Sequence, residues 1–215
     1  MVSDRRAQIS RRLGALVLAL LAASPVHAAV ERPHALAFKL GYHVYPTSSY
    51  LQLSGEAGLG GVNEFRGQSL EVLDYTYQWT PRWGLNVSLL NGYFRKYAPL
   101  ENLQQSILTW YATVTPVYTI WGARRPESWL VYAGAGVGRY GLILRFDERG
   151  TTEEFATYTL GYHTLIGIEY CLNEQVGFLI EEKYARARVK FGREIERTQI
   201  DVGGHNLLVG VRIHF

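Results

Sequence analysis

The chain has 215 residues, 47% apolar and 13% aromatic, with 22 glycines and a single cysteine. That content excludes a disordered chain, a disulfide scaffold and a thiolate zinc site. Of 22 Lys+Arg and 19 Asp+Glu, four arginines and one aspartate lie in the first 28 residues. The 18 basic and 18 acidic residues that remain cancel, which leaves no cationic excess for nucleic acid.

The first segment reads as an export signal. Basic residues from Arg5 to Arg12 precede the apolar run Leu13 to Ala23, and Ser24-Pro25 ends it. Val26-His27-Ala28 puts small residues at a cleavage position, so residues 1–28 are expected to be a signal peptide and 29–215 the mature domain. No later stretch approaches the ~20 apolar residues that a spanning helix needs.

From residue 35 the dominant period is two, the period of a strand. Eight alternating runs follow in order: Phe38–Val44, Leu73–Trp79, Leu85–Leu89, Leu108–Tyr118, Tyr132–Phe146, Leu160–Ile168, Phe178–Tyr184 and Leu207–Phe215. Three connections are tight: Thr80–Trp83, Gly122–Ser128 and Cys171–Gln175. Four are longer, at 46–68, 98–106, 147–154 and 192–201, and they alternate with the tight ones. Short turns on one side and long loops on the other suit an antiparallel up-and-down barrel in an outer membrane.

Ile107–Trp121 and Trp129–Phe146 exceed the ~9–11 residues that a tilted strand needs to cross hydrocarbon. Trp79, Trp83, Trp121, Trp129 and Tyr170 fall near the tight turns, and Tyr45, Tyr93, Tyr97 and Tyr140 toward the other ends. Two interfacial girdles have this look. A periplasmic lipocalin-like barrel or β-sandwich shows the same period with apolar residues facing inward. Strand length, the aromatic rows and the terminal Phe215 favour the membrane.

The last strand, Leu207-Leu208-Val209-Gly210-Val211-Arg212-Ile213-His214-Phe215, resembles the C-terminal signature of bacterial outer-membrane barrels. Trp129 through Tyr140, with its Tyr-x-Gly-x-Gly pattern, is similar to a strand of the eight-stranded group that includes outer-membrane protein W and the protein A barrels. So is the strand–turn–strand path from Leu70 through Trp83 to Tyr97. The resemblance implies an all-β, eight-stranded transmembrane barrel in a Gram-negative outer membrane. It also implies recognition of Phe215 by the barrel-assembly machinery, and outer-membrane lipids and lipopolysaccharide as surroundings.

Strand parity assigns Lys39, His43, Asp74, Lys96, Arg139, Arg145, His163, Glu169, Glu181, Lys183, Arg212 and His214 to the lumen. Such a set forms either a self-neutralising plug, because buried charges must be paired, or a narrow polar path. Glu182 then faces lipid, which would mark either a bulge, a headgroup-level position or the carboxylate of a lipid-modifying enzyme. With the last hairpin centred near 197, Glu182 lies opposite residue 212 and far from His205. No His-x-Ser pair occurs, so no catalytic residues are assigned.

The histidines show no ligand spacing, and Gly134, Gly136 and Gly138 sit mid-strand rather than in a phosphate loop. No metal or cofactor is expected. The apolar loop Pro46 to Gly67 is a candidate gate. The function expected from these readings is non-enzymatic passage or binding of a small hydrophobic solute, porin-like in kind. A structural or adhesive barrel with a plugged lumen is the alternative, and a lipid A-modifying enzyme the third.

Overall fold

A residue with period-two alternation turns one side chain to each face, so each run must choose which face meets lipid. In the computed structural model, which describes residues 31–44, 66–98, 103–148, 151–191 and 198–215, the apolar set faces out. Leu160 is 82% exposed, Val137 66% and Phe38 65%, while Thr109, Thr113, Thr115, Ser88 and Asn86 are buried inside. A soluble barrel would show the reverse.

The strands are β1 (His34–Val44), β2 (Arg66–Gln78), β3 (Trp83–Ala98), β4 (Leu103–Gly122), β5 (Ser128–Glu148), β6 (Thr151–Cys171), β7 (Val176–Arg186), β8 (Arg188–Phe191), β9 (Thr198–Asp201) and β10 (Gly204–His214). Eight of them close a barrel in the order β1-β10-β7-β6-β5-β4-β3-β2, and all the pairings are antiparallel. The short β8–β9 ribbon carries on the β7–β10 hairpin in the same register. Phe215 helps to seal the seam. Its N–H donates to the His34 carbonyl at 2.9 Å, its carbonyl accepts from the His34 N–H at 3.1 Å, and the two rings stack at 5.7 Å.

Side chains hold the tight turns. Thr80 Oγ1 accepts from the N–H of Trp83 at 2.8 Å. Asn173 Oδ1 accepts from Gln175 and Val176, both at 2.8 Å, as an Asx-turn does. Gly122, at φ 84°, supplies the left-handed residue that starts the third turn.

Three of the longer connections are shorter than their composition suggests. β3 and β4 pair up to Ala98↔Leu103, β5 and β6 up to Glu148↔Thr151, and β9, paired with β8, occupies 198–201 of the segment read as a loop. Above the membrane a ladder needs backbone hydrogen bonds but no apolar side chains, so polar strand ends resemble loops. Residues 1–30 and most of the 46–68 loop, with the expected signal peptide and apolar gate, lie outside the described residues.

The lower girdle has formed as expected. Trp83 meets Tyr118 and Trp129 meets Tyr170, each with ring centroids 4.8 Å apart. The upper one differs. Tyr42, Tyr158, Tyr162 and Tyr184 face outward, whereas Tyr140 is buried in the lumen. Tyr45 is outside the described residues, as are the side chains of Tyr93 and Tyr97.

Candidate functional site

The barrel interior is a continuous charge network. Lys39 on β1 places its Nζ 2.6 Å from Asp74 Oδ2, 2.8 Å from Glu71 Oε2 and 2.9 Å from Glu181 Oε1. Lys183 on β7 lies 2.6 Å from the other Glu71 oxygen and 3.1 Å from Ser88 Oγ. Tyr132 donates its hydroxyl to Glu181 Oε2 at 2.9 Å.

Toward the tight turns, Arg212 pairs with Glu169 at 2.8 Å and reaches Asp74 at 3.7 Å. His214 Nε2 meets the second Glu169 oxygen at 2.6 Å. Glu71, Lys39 and Lys183 have side chains 0% exposed. Charges so deep persist only because each has several partners.

Aromatic rings complete the fill. The Lys183 ammonium lies 5.5 Å from the Tyr111 ring centre, and the Arg212 guanidinium 5.0 Å from that of Tyr132. Farther along, His163 bridges Thr115 Oγ1 at 2.7 Å and the Tyr140 hydroxyl at 3.0 Å. Gly136 makes room for that histidine, since a Cβ there would lie 2.8 Å from His163 Cε1. Glu71, Asp74 and Glu181 converge within 4.8 Å, a spacing that could hold a cation, but the Lys39 ammonium stands among them.

Little free space remains around the network. A cavity of about 20 Å³ lies beside it between Thr76, Asn86, Leu130 and Tyr132, room for roughly one water. A wider cup of about 560 Å³ opens at the tight-turn end, lined by Arg32, Arg82, Arg124, Arg125, Glu31 and Glu174. Arg124 donates to the Arg32 carbonyl at 3.2 Å, and burial lowers its pKa to about 10.

Most of the parity assignments hold. Lys39, His43, Asp74, His163, Glu169, Glu181, Lys183, Arg212 and His214 are all buried inside. Two do not. Arg139 and Arg145 are exposed on the outer face. Arg139 stacks 3.7 Å from the centre of the Tyr158 ring, and Arg145 pairs with Glu154 at 2.6 Å. On β5 the choice of face is inverted: Tyr132, Tyr140 and Leu142 fill the lumen, with the Tyr132 ring against Gly167 and the Tyr140 ring against Gly161, where a Cβ would strike them. An arginine at headgroup level can face outward without leaving water. The side chain of Lys96 is outside the described set.

Glu71, the partner of both lysines, is absent from the sequence reading. The register slips between Glu71 and Leu73, and this bulge flips the inward parity between Glu71 and Asp74. The run Leu70-Glu71-Val72-Leu73 breaks strict alternation, and that is the signal that points to it. Glu182 also needs correction. It pairs with Leu207, not residue 212, because the hairpin centre falls between 194 and 195. Glu182 Oε1 therefore lies 2.7 Å from His205 Nδ1 on the outer face. The outward neighbours of this pair are Ile166, Leu207, Tyr184 and Thr164.

Comparison with known proteins agrees with this architecture. The sequence profile of the outer membrane protein beta-barrel domain matches residues 14–215. The fold is similar to that of Neisserial surface protein A (TM-score 0.58, 15% identity, covering 85% of this chain and 96% of that one). It is also similar to Ail, the attachment invasion locus protein of Yersinia pestis (TM-score 0.50, 15% identity, 86% and 100% covered). At such identity the likeness concerns the fold alone. No curated protein matches the chain.

Proposed function

The chain belongs to the outer membrane protein beta-barrel domain family, and we propose that its barrel is sealed along the axis and works, without catalysis, from its outer surfaces. It is an outer-membrane protein, so those surfaces are the lipid-facing band and the extracellular rim.

The observation that carries this reading is the ring of charges around Lys39. Three carboxylates enclose its ammonium within 2.9 Å. A solute crossing the barrel would have to separate these pairs, and the cavity of about 20 Å³ beside them has room for roughly one water. Axial passage, the function favoured by composition and parity, therefore meets a barrier, and the plugged structural or adhesive barrel becomes the stronger reading. An eight-stranded interior is narrow enough for side chains to fill.

The outward Glu182–His205 pair does not make an enzyme by itself. Its strand neighbours supply the hydroxyls of Thr164 and Tyr184, and among the described residues neither is hydrogen-bonded to His205 or Glu182 as an activated nucleophile would be. Solute efflux tests the proposal. Vesicles carrying the folded protein should release small sugars and amino acids no faster than protein-free vesicles. Size-dependent release would overturn it.

A further inference from the structure

The outward-facing strand cations of the described residues gather on one side of the barrel. Among the described residues they are Arg139 and Arg145 on β5, Arg186 on β7, and Arg188 and Lys190 on β8. All flank β6. The described outward positions of β1, β2, β3 and β4 carry none.

Their depth follows from register. Trp129, Tyr170 and Phe178 form one row across β5, β6 and β7 in the lower girdle. Ten residues up each strand the same row reads Arg139, Leu160 and Arg188. Arg139 pairs with Leu160, and Ala187 packs against Gly161, which keeps β8 in line beside β6. At ~3.3 Å per residue and a tilt of about 40°, ten residues rise roughly 25 Å, the height of the apolar band. Arg139, Arg186, Arg188 and Lys190 therefore stand around the outer headgroup level, with Tyr158 and Tyr162 between them and Arg145 above.

Some of these charges have partners. Arg145 is paired with Glu154, and Arg186 lies 3.8 Å from Asp201. Arg139 lies against the Tyr158 and Trp110 rings, and neither it nor Arg188 and Lys190 has an acidic partner among the described residues. Cations at this depth, flanked by tyrosines and apolar Leu160, suit an amphiphile with an anionic head and acyl tails.

We propose that the β5–β6–β8 face is a binding site for the phosphorylated head of an outer-leaflet glycolipid, lipopolysaccharide. Arg139 and Arg188 would take the phosphate oxygens by paired N–H donation, and Lys190 would act as a point charge. The acyl chains would lie along the outward Val137, Ile166 and Ile168 below. The site does not depend on whether the lumen conducts.

The test uses the full-length protein exported to the outer membrane, extracted in detergent and delipidated. Binding of lipid A and of its enzymatically dephosphorylated form is followed by the mass of the complex. Wild type should bind phosphorylated lipid A at least ~10-fold more tightly than the dephosphorylated form, the scale expected for losing a few headgroup contacts. The variant R139Q/R188Q/K190Q should lose that preference, while R82Q/R125Q at the opposite rim keeps it.

Folding is checked by heat-dependent gel mobility. If the triple variant does not fold, R188Q/K190Q at the rim carries the test. Equal binding of both lipid forms by wild type, or full retention of the preference in the variant, would overturn the proposal.

Discussion

Replacing Lys39 with methionine keeps the side-chain volume and removes the charge. Three carboxylates then face one another without their shared ammonium. Glu71 retains Lys183 at 2.6 Å, but Asp74 keeps only Arg212 at 3.7 Å, and Glu181 keeps Lys183 at 3.6 Å and the Tyr132 hydroxyl. Removing one partner of a buried pair costs about 3–5 kcal/mol, mostly through the uncompensated charge left behind. The folded-to-unfolded ratio should fall more than about 100-fold. Urea unfolding in lipid vesicles, read by the mobility difference between folded and unfolded barrel, measures it. K39M/D74N/E181Q removes the repulsion with the charge and should recover most of the loss. A change below about 1 kcal/mol in K39M would refute the idea that this ammonium holds the network together.

Gly136→Ala should destabilise by about 1–3 kcal/mol, because the new methyl presses on the Val114 carbonyl and the His163 ring; the same unfolding assay reads it. Glu182→Leu should stabilise the barrel by up to about 2 kcal/mol, because this lipid-facing acid lies four residues above Phe178, near the middle of the apolar band. It should also leave the mass spectrum of lipid A unchanged, and a lost modification would reinstate the enzymatic reading. Deleting Phe215 removes two seam hydrogen bonds and a ring contact, and should cost about 1–3 kcal/mol in that assay.

Where alternation was strict, the sequence was enough to place side chains. Phe38, Leu40 and Tyr42 against Lys39 and His43 determined the face of β1, and Phe178, Ile180 and Tyr184 against Glu181 and Lys183 that of β7. The terminal aromatic and the three tight turns located the ends. Legibility failed where two physical effects compete. On β5 both parities carry large side chains, so polarity alone chose the wrong face for Arg139 and Tyr140. The inward Gly161 and Gly167 of β6 held the answer, as a Cβ at either would strike the Tyr140 or the Tyr132 ring.

The other failures came from counting. The bulge at residue 72 hid Glu71, the acid that ties Lys39 to Lys183. An error of two to three residues in the last hairpin centre moved the partner of Glu182 by five and concealed its contact with His205. Register doubles any error in the turn, so local sequence cannot fix cross-strand pairs as firmly as it fixes faces.

The central claim is a closed axis, and single-channel recording in a planar bilayer tests it most directly. Correctly folded wild-type protein should give no discrete steps, and Arg139→Ala, a change on the outer face, should leave the bilayer equally silent. Steps in wild type that change with Glu181→Ala would show ions moving through the network and would contradict a sealed barrel.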